Sequence, residues 1–258
     1  MKTAISEFRQ YRSLFSELVR KGIVLKYRRS YLGVVWSMIE PLLTMIVLTI
    51  VFGTLFGHNN REFPVYILAG RLIYTLFSQS TTASLKSIRQ NEAMIKKVYV
   101  PKYMYPISAV VFNYILFIIS LVVLFAVSII LKVYPGFRIF LSVIPLGILF
   151  ILSIGVGLIL ATVGVAFRDM EYLWNVGLMI VMYTCAIFYY PDKILDSNVS
   201  FILKYNPLFC IISNFRSCIF NEAMDMQMLL YSGIFAVISL ILGSWLFNRK
   251  QDKFILKL

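Results

Sequence analysis

The sequence predicts an all-α polytopic membrane protein with six transmembrane helices, an N-terminal amphipathic interface helix, and re-entrant or surface helices between spans five and six. Three observations carry this expectation. Hydrophobic residues make up 60% of the 258-residue chain and the mean hydropathy is +0.81, while only 14% of residues are charged; soluble globular domains average about 25%. The apolar residues gather into six segments, each near the roughly 20 residues that cross a hydrocarbon core. The cations cluster between these segments, 18 of the 25 Lys and Arg falling in the two chain ends and two of the connections. A net charge of +13 would suggest nucleic acid in a soluble chain. No aromatic-basic motif or zinc spacing accompanies it, so the charge calls for a topological explanation.

Residues 1–30 form the arm. Phe8, Tyr11, Phe15 and Leu18 recur at i, i+3, i+7 and i+10, with Arg9, Arg12, Ser13, Ser16 and Arg20 between them. That pattern suits a helix lying on the membrane surface, its cations toward anionic headgroups; packing on another subunit is the alternative. No cleavable signal is expected, because the chain opens on polar and basic residues.

The six spans occupy residues 34–247, at about 34–56, 65–85, 106–131, 139–166, 173–190 and 228–247. In the first, Ser37, Glu40 and Thr44 share a face, and Glu40 lies about 9 Å in from Val34. Pro41 forfeits a backbone hydrogen bond beside it. Helix packing and a pore mouth are both open readings of this face. The second span has a similar row, Thr75, Ser78 or Gln79, Thr82 and Lys86, with Arg71 placed near the other end, where it can snorkel. Residues 86–102 and the turn with Arg168 and Asp169 connect spans on the same side as the arm and the tail, 248–258. Because basic residues resist translocation, that side is expected to be cytoplasmic, with both termini inside.

The stretch 199–220, within the 192–227 connection, is apolar but carries Lys204, Asn206, Pro207 and Arg216. A central cation costs roughly 2.5 to 3.5 kcal/mol on insertion scales, so a full crossing is disfavoured. Two short helices broken at Asn206-Pro207, re-entrant or lying on the surface, are expected instead. Cys185, Cys210 and Cys218 read as packing residues. The sole histidine, His58, leaves no His-based metal or acid-base constellation, and no G-x-x-x-x-G-K-[ST] loop is present to cradle ATP. No catalytic, metal or cofactor-binding residue is expected in this chain.

The stretch "LVRKGIVLKYRRSYLGVVWSMIEPLL" resembles the opening motif of the membrane subunits of ABC transporters that export polysaccharides and teichoic acids, through Tyr27, Arg28, Ser30, Leu32, Gly33, Trp36 and Pro41. "NEAMIKKVYVPKYMYPIS" is similar to that family's coupling segment, with Asn91, Ile95, Lys96, Lys97, Pro101 and Pro106 in place. "FRD" at 167–169 and "YNP" at 205–207 follow in order. Two departures stand out: Cys185 and Ala186 replace a Ser-Pro pair late in span five, and Arg71 follows Gly70 where an apolar residue is usual.

The resemblance implies a single transmembrane permease domain over 1–258, paired as a homodimer in the bacterial cytoplasmic membrane. Two cytoplasmic ATPase subunits would supply ATP and Mg, and a lipid-linked O-antigen, capsule or teichoic acid glycan would pass between the halves. It implies coupling to the ATPase through Asn91, Glu92, Ile95, Lys96 and Lys97. Arg28, Trp36, Ser37, Glu40, Pro41 and Thr44 would line the mouth or pore, and Tyr189, Tyr190, Asn206 and Pro207 an outer gate. Arg168 and Asp169 would mark the cytoplasmic turn, pairing with the coupling surface or arm, or capping helices. Tyr66, Tyr74, Phe77, Trp174, Phe188, Tyr189 and Tyr190 form an interfacial belt, or platforms for sugars. A channel or gradient-driven secondary carrier, and a membrane-embedded glycan or lipid transferase, are the rival readings.

Overall fold

The computed structural model describes residues 10–28, 31–56, 60–97, 100–191 and 200–254; Phe8, Arg9, Arg29, Ser30 and His58 lie outside them. Every regular element among the described residues is helical. The helices are α1 Arg12–Tyr27, α2 Trp36–Phe56, α3 Phe63–Gln90, α4 Glu92–Ile95, α5 Met104–Ile130, α6 Val143–Ala166, α7 Met170–Thr184, α8 Phe201–Lys204, α9 Pro207–Ile219 and α10 Met226–Lys250.

Local chemistry explains the boundaries. A 3₁₀ turn, Gly33–Val35, leads into α2, and Gly33 stands at φ +48°, a conformation that suits glycine. Pro64 sits in the first turn of α3, where a missing N–H costs nothing. Asn206 and Asp225 cap α9 and α10: the Asn206 side chain accepts from the Leu208 and Phe209 amides, and that of Asp225 from Gln227 and Met228. Helix α2 continues through Pro41. A proline there cannot donate to the carbonyl four residues back, that of Ser37. Ser120 of α5 supplies the bond, its hydroxyl donating to the Ser37 carbonyl at 2.8 Å.

Four helical stretches among the described residues are long and apolar enough to cross a membrane: Gly33–Leu55, Met104–Ile130, Phe137–Ala166 and Met226–Lys250. Helix α3, with 28 residues, reaches about 42 Å but carries the row of polar residues. Helix α7 has 15 residues, about 22 Å, short of the roughly 30 Å core. The expected fifth span ran to 190, whereas the helix ends at Thr184. Residues 185–190 follow as irregular backbone, with Ala186 at φ +47°.

Small residues bring the long helices together, as expected where lipid removes the hydrophobic drive between them. Helices α6 and α10 meet at Gly155 and Gly243; a Cβ on Gly155 would stand 2.5 Å from the Leu240 amide nitrogen. Gly157 of α6 admits Ser84 of α3 in the same way.

One end of the bundle holds the arm and the C-terminal end of α10. There Tyr11, Leu14, Phe15 and Leu18 of the arm pack on a cluster with Ile88, Ile95, Met104, Tyr105, Val165, Phe247 and Phe254. The first half of the apolar side of α1 is thus taken up by this chain itself, while Leu25 farther along it and Arg12, Arg20 and Lys21 stay exposed. At the far end Phe63, Tyr66 and Ile67 gather with Phe52, Tyr190 and Phe220. Helix α9 is wedged there among α3, α6 and α10 with most of its side chains buried. The helix break expected at Asn206-Pro207 is present. Cys185, Cys210 and Cys218 are free and buried.

Candidate functional site

Between α2, α3 and α5 lies a small cavity of about 50 Å³ lined by Ser37, Glu40, Pro41 and Thr44, by Arg71, Thr75 and Gln79, and by Asn113 and Ser120. The two polar faces picked out by helical spacing therefore meet each other. Some of their hydrogen-bonding capacity is spent locally: Ser37 donates to the Val34 carbonyl and Thr44 to that of Glu40. The volume suits water rather than a sugar. Arg71 turns into this cavity, with its guanidinium over the Tyr74 ring at 5.6 Å and Nη1 3.5 Å from Met182 Sδ. It does not snorkel outward, because α3 continues for two turns beyond it before reaching Phe63. Lys26 of α1 also lines the cavity. Its ammonium is pushed below its ordinary value by partial burial, and Glu40 opposes that shift. Glu40 makes no ion pair among the described residues. Arg28 and Trp36 are exposed and do not line the cavity.

At the end that holds the arm, α4 is one short turn held by Ile95, which is buried, with Lys96 and Lys97 exposed and Glu92 partly so. Lys96 Nζ lies 2.5 Å from Glu92 Oε1. Asn91 ties the turn down: its Nδ2 donates to the Ser87 carbonyl at 2.8 Å, and its Oδ1 accepts from Lys21 of the arm at 3.4 Å. Arg168 and Asp169 were expected to pair or cap here. Asp169 occupies the N-cap position of α7 without a capping bond, and neither forms an ion pair among the described residues. The pairing falls to Glu171, three residues beyond Arg168. Its carboxylate bonds Arg89 and lies 3.1 Å from Lys86 Nζ, joining the start of α7 to the last turn of α3.

The far end is organised by Arg216, only 5% exposed. Its Nε donates to the Tyr66 carbonyl at 3.1 Å, Nη1 to Ala186 at 3.0 Å and Nη2 to Ile187 at 3.3 Å. The guanidinium also stacks on the Tyr66 ring at 3.4 Å. No carboxylate pairs with it among the described residues; carbonyl dipoles and a ring face take that role. Gly70 makes the fit possible, since a Cβ there would stand 2.3 Å from Nη2. The Tyr66 hydroxyl donates to Ala186 and Tyr189. Irregular backbone buried in a membrane protein must be satisfied by protein or water, and the carbonyls of Ala186, Ile187 and Tyr189 are satisfied this way. Asn206 adds a second link, its Nδ2 donating to Thr184 Oγ1 at 3.0 Å. Tyr190 packs on Tyr66 at 4.6 Å beside a pocket of about 300 Å³ that Glu62, Ser213, Ser217 and Glu222 also line. From the sequence alone, Arg216 figures only as an obstacle to crossing. Gly70, an unexplained glycine inside a long helix, was the available signal.

These features define a multi-pass membrane protein with polar groups between its helices and an irregular, cation-pinned backbone at one end. The chain belongs to the ABC-2 type transporter membrane family, which it matches over residues 13–220. It is 25% identical over 252 residues, 97% of each chain, to the O-antigen export system permease protein RfbA of Myxococcus xanthus. It is 26% identical to the protein of the same name from Klebsiella pneumoniae, over 92% of each chain. Similarity to the polysialic acid transport protein KpsM of Escherichia coli is 24% over 96% of this chain and 98% of that one.

Proposed function

We propose that this chain is the transmembrane subunit of an ATP-driven exporter that moves a lipid-linked polysaccharide or teichoic acid across the bacterial cytoplasmic membrane. The observation that carries the reading is similarity along nearly the whole chain to an O-antigen export system permease and to a polysialic acid transport protein. In this reading α2, α3, α5, α6, α7 with its irregular extension, and α10 are six spans. The end holding the arm and the C-terminal end of α10 faces the cytoplasm, and with it both termini, as the cation bias favours.

The working unit is a homodimer. The exposed apolar faces of α2, around Leu43, Val47 and Ile50, and of α7, around Leu173, Val176 and Ile180, suit lipid or a second copy lining a shared path. Arg28, Trp36, Ser37, Glu40, Pro41 and Thr44 border its inner mouth. Two ATPase subunits, which bind ATP and Mg, dock below on Asn91, Glu92, Ile95, Lys96 and Lys97. The compact α4 suits this, since exposed charges on a turn fixed by a buried anchor set a docking register. Arg168 and Asp169 are exposed at the same end. Helices α8 and α9, with Tyr189, Tyr190, Asn206 and Pro207, form the outer gate, and the burial of α9 among α3, α6 and α10 supports re-entry rather than a surface position.

Mild-detergent purification with mass spectrometry tests the reading. A cytoplasmic ATPase and a retained lipid-linked glycan are expected to copurify. A chain that purifies alone and still exports glycan down an ion gradient contradicts it.

A further inference from the structure

Helix α7 is poorly packed for a helix within a bundle. Of its 15 residues only Leu178 is buried, while one whole side, including Tyr172, Met179 and Tyr183, is exposed. It meets α3 through an edge contact of Trp174 with Phe77, through Leu178 in the shared apolar cluster, and through polar contacts that recur along the length of the helix. Glu171 bonds Lys86 and Arg89. One turn on, Trp174 Nε1 donates to Thr81 Oγ1 at 3.1 Å. The Tyr74 hydroxyl then donates to the Leu178 carbonyl at 2.9 Å, and Arg71 reaches Met182 Sδ. Beyond the helix end, Tyr66 and Arg216 hold the Ala186 carbonyl.

The positions on α7, 171, 174, 178 and 182, advance by three or four residues, which is one helical face, and 186 follows just past the helix end. Those on α3, 89 and 86, 81, 74, 71 and 66, run backward in less even steps, in the order that an antiparallel partner requires. Apolar contact between helices gains little when lipid is the alternative, so in a membrane such polar rungs are what distinguish one neighbour from another. A slide by one turn or a hinge in mid-helix would break several rungs together. The last rung also belongs to α9, because Arg216 is on that helix, and the first lies within one turn of Asn91.

We infer that α3 and α7 move as a single unit held by this polar ladder, and that the ladder carries displacement of residues 91–97 to α7 and, through Arg216, to α9. The inference rests on the proposed docking of an ATPase at 91–97. Lys86, Arg89, Thr81, Tyr74 and Glu171 are then positioning residues, remote from any bound nucleotide.

The test uses the full complex with its ATPase in proteoliposomes, with Thr81→Val and Tyr74→Phe, which remove one rung each at nearly constant volume. Spin labels on Gln79→Cys of α3 and Asn175→Cys of α7, which face one groove, report the spacing of the two helices. With both rungs intact, the label distance is expected to stay the same with and without ATP. Each rung removed is expected to lower export per complex roughly threefold, and both together roughly tenfold. ATPase binding and turnover should stay unchanged, and the distance should broaden when ATP is added. A label distance that already changes with ATP in the unaltered ladder overturns the inference, as does unchanged export in the double variant. Failure of the docking reading gives a different result: charge reversal at Glu92, Lys96 and Lys97 would leave the ATPase bound, whatever the label distance does.

Discussion

Arg216 shows how a cation is accommodated where no carboxylate is at hand. Three carbonyls and a tyrosine face solvate the guanidinium, and two of those bonds, to Ala186 and Ile187, satisfy backbone that left the helix at Thr184. Arg216→Met is expected to destabilise the purified protein by about 3 kcal/mol or more, because buried carbonyls lose their donors at once. Gly70→Ala acts on the same site from the other side. Its Cβ would collide with Nη2, and a loss of roughly 1 to 3 kcal/mol is expected. Thermal unfolding in detergent, compared at equal lipid content, checks both. A second residue-scale compensation joins Pro41 and Ser120. Ser120→Ala is expected to cost about 1 kcal/mol in the presence of Pro41, and less once Pro41→Ala returns the backbone N–H to Ser37. A double-mutant cycle measured by denaturation reads this coupling; strict additivity would contradict it.

Among the elements, α2, α5, α6 and α10 were legible to within a few residues, since their runs are predominantly apolar, interrupted in α2 by Glu40 and Pro41, and end at charges, Gly or Pro. The arm and the break at Asn206-Pro207 were legible for equally local reasons. The end of α7 was not, because it is set by Arg216 and Asn206, respectively 32 and 22 residues after Thr184, and no periodicity carries that information. Similarly, spacing revealed the polar faces of α2 and α3 but could not tell that they meet, and it pointed to Arg168 and Asp169 where Glu171 makes the contact. At this scale α4 is the element to test. The exposed Glu92–Lys96 pair contributes about 0.5 kcal/mol or less to stability. Reversing the charges at Glu92, Lys96 and Lys97 is therefore expected to leave the melting temperature unchanged while abolishing copurification of the ATPase, which a pull-down measures directly.

For the whole molecule, the clustering of the arm, α4 and the end of α10 makes topology the first consequence. Single cysteines introduced at Ser13 and Asp252 are expected to react with a membrane-impermeant thiol reagent only after the inner face is exposed, and one at Glu222 from outside. The two ends of the bundle, which the proposed function reads as one face for a motor and one for release, are joined by α3, the only helix among the described residues that contributes both to the ion pairs with Glu171 and to the Arg216 site. The central claim is that such a path is driven from below by a separate subunit. The most direct measurement is glycan translocation in proteoliposomes holding the purified chain with and without its ATPase. The account expects lumenal glycan only when both subunits and ATP are present. Translocation by this chain alone, with no nucleotide, would contradict it.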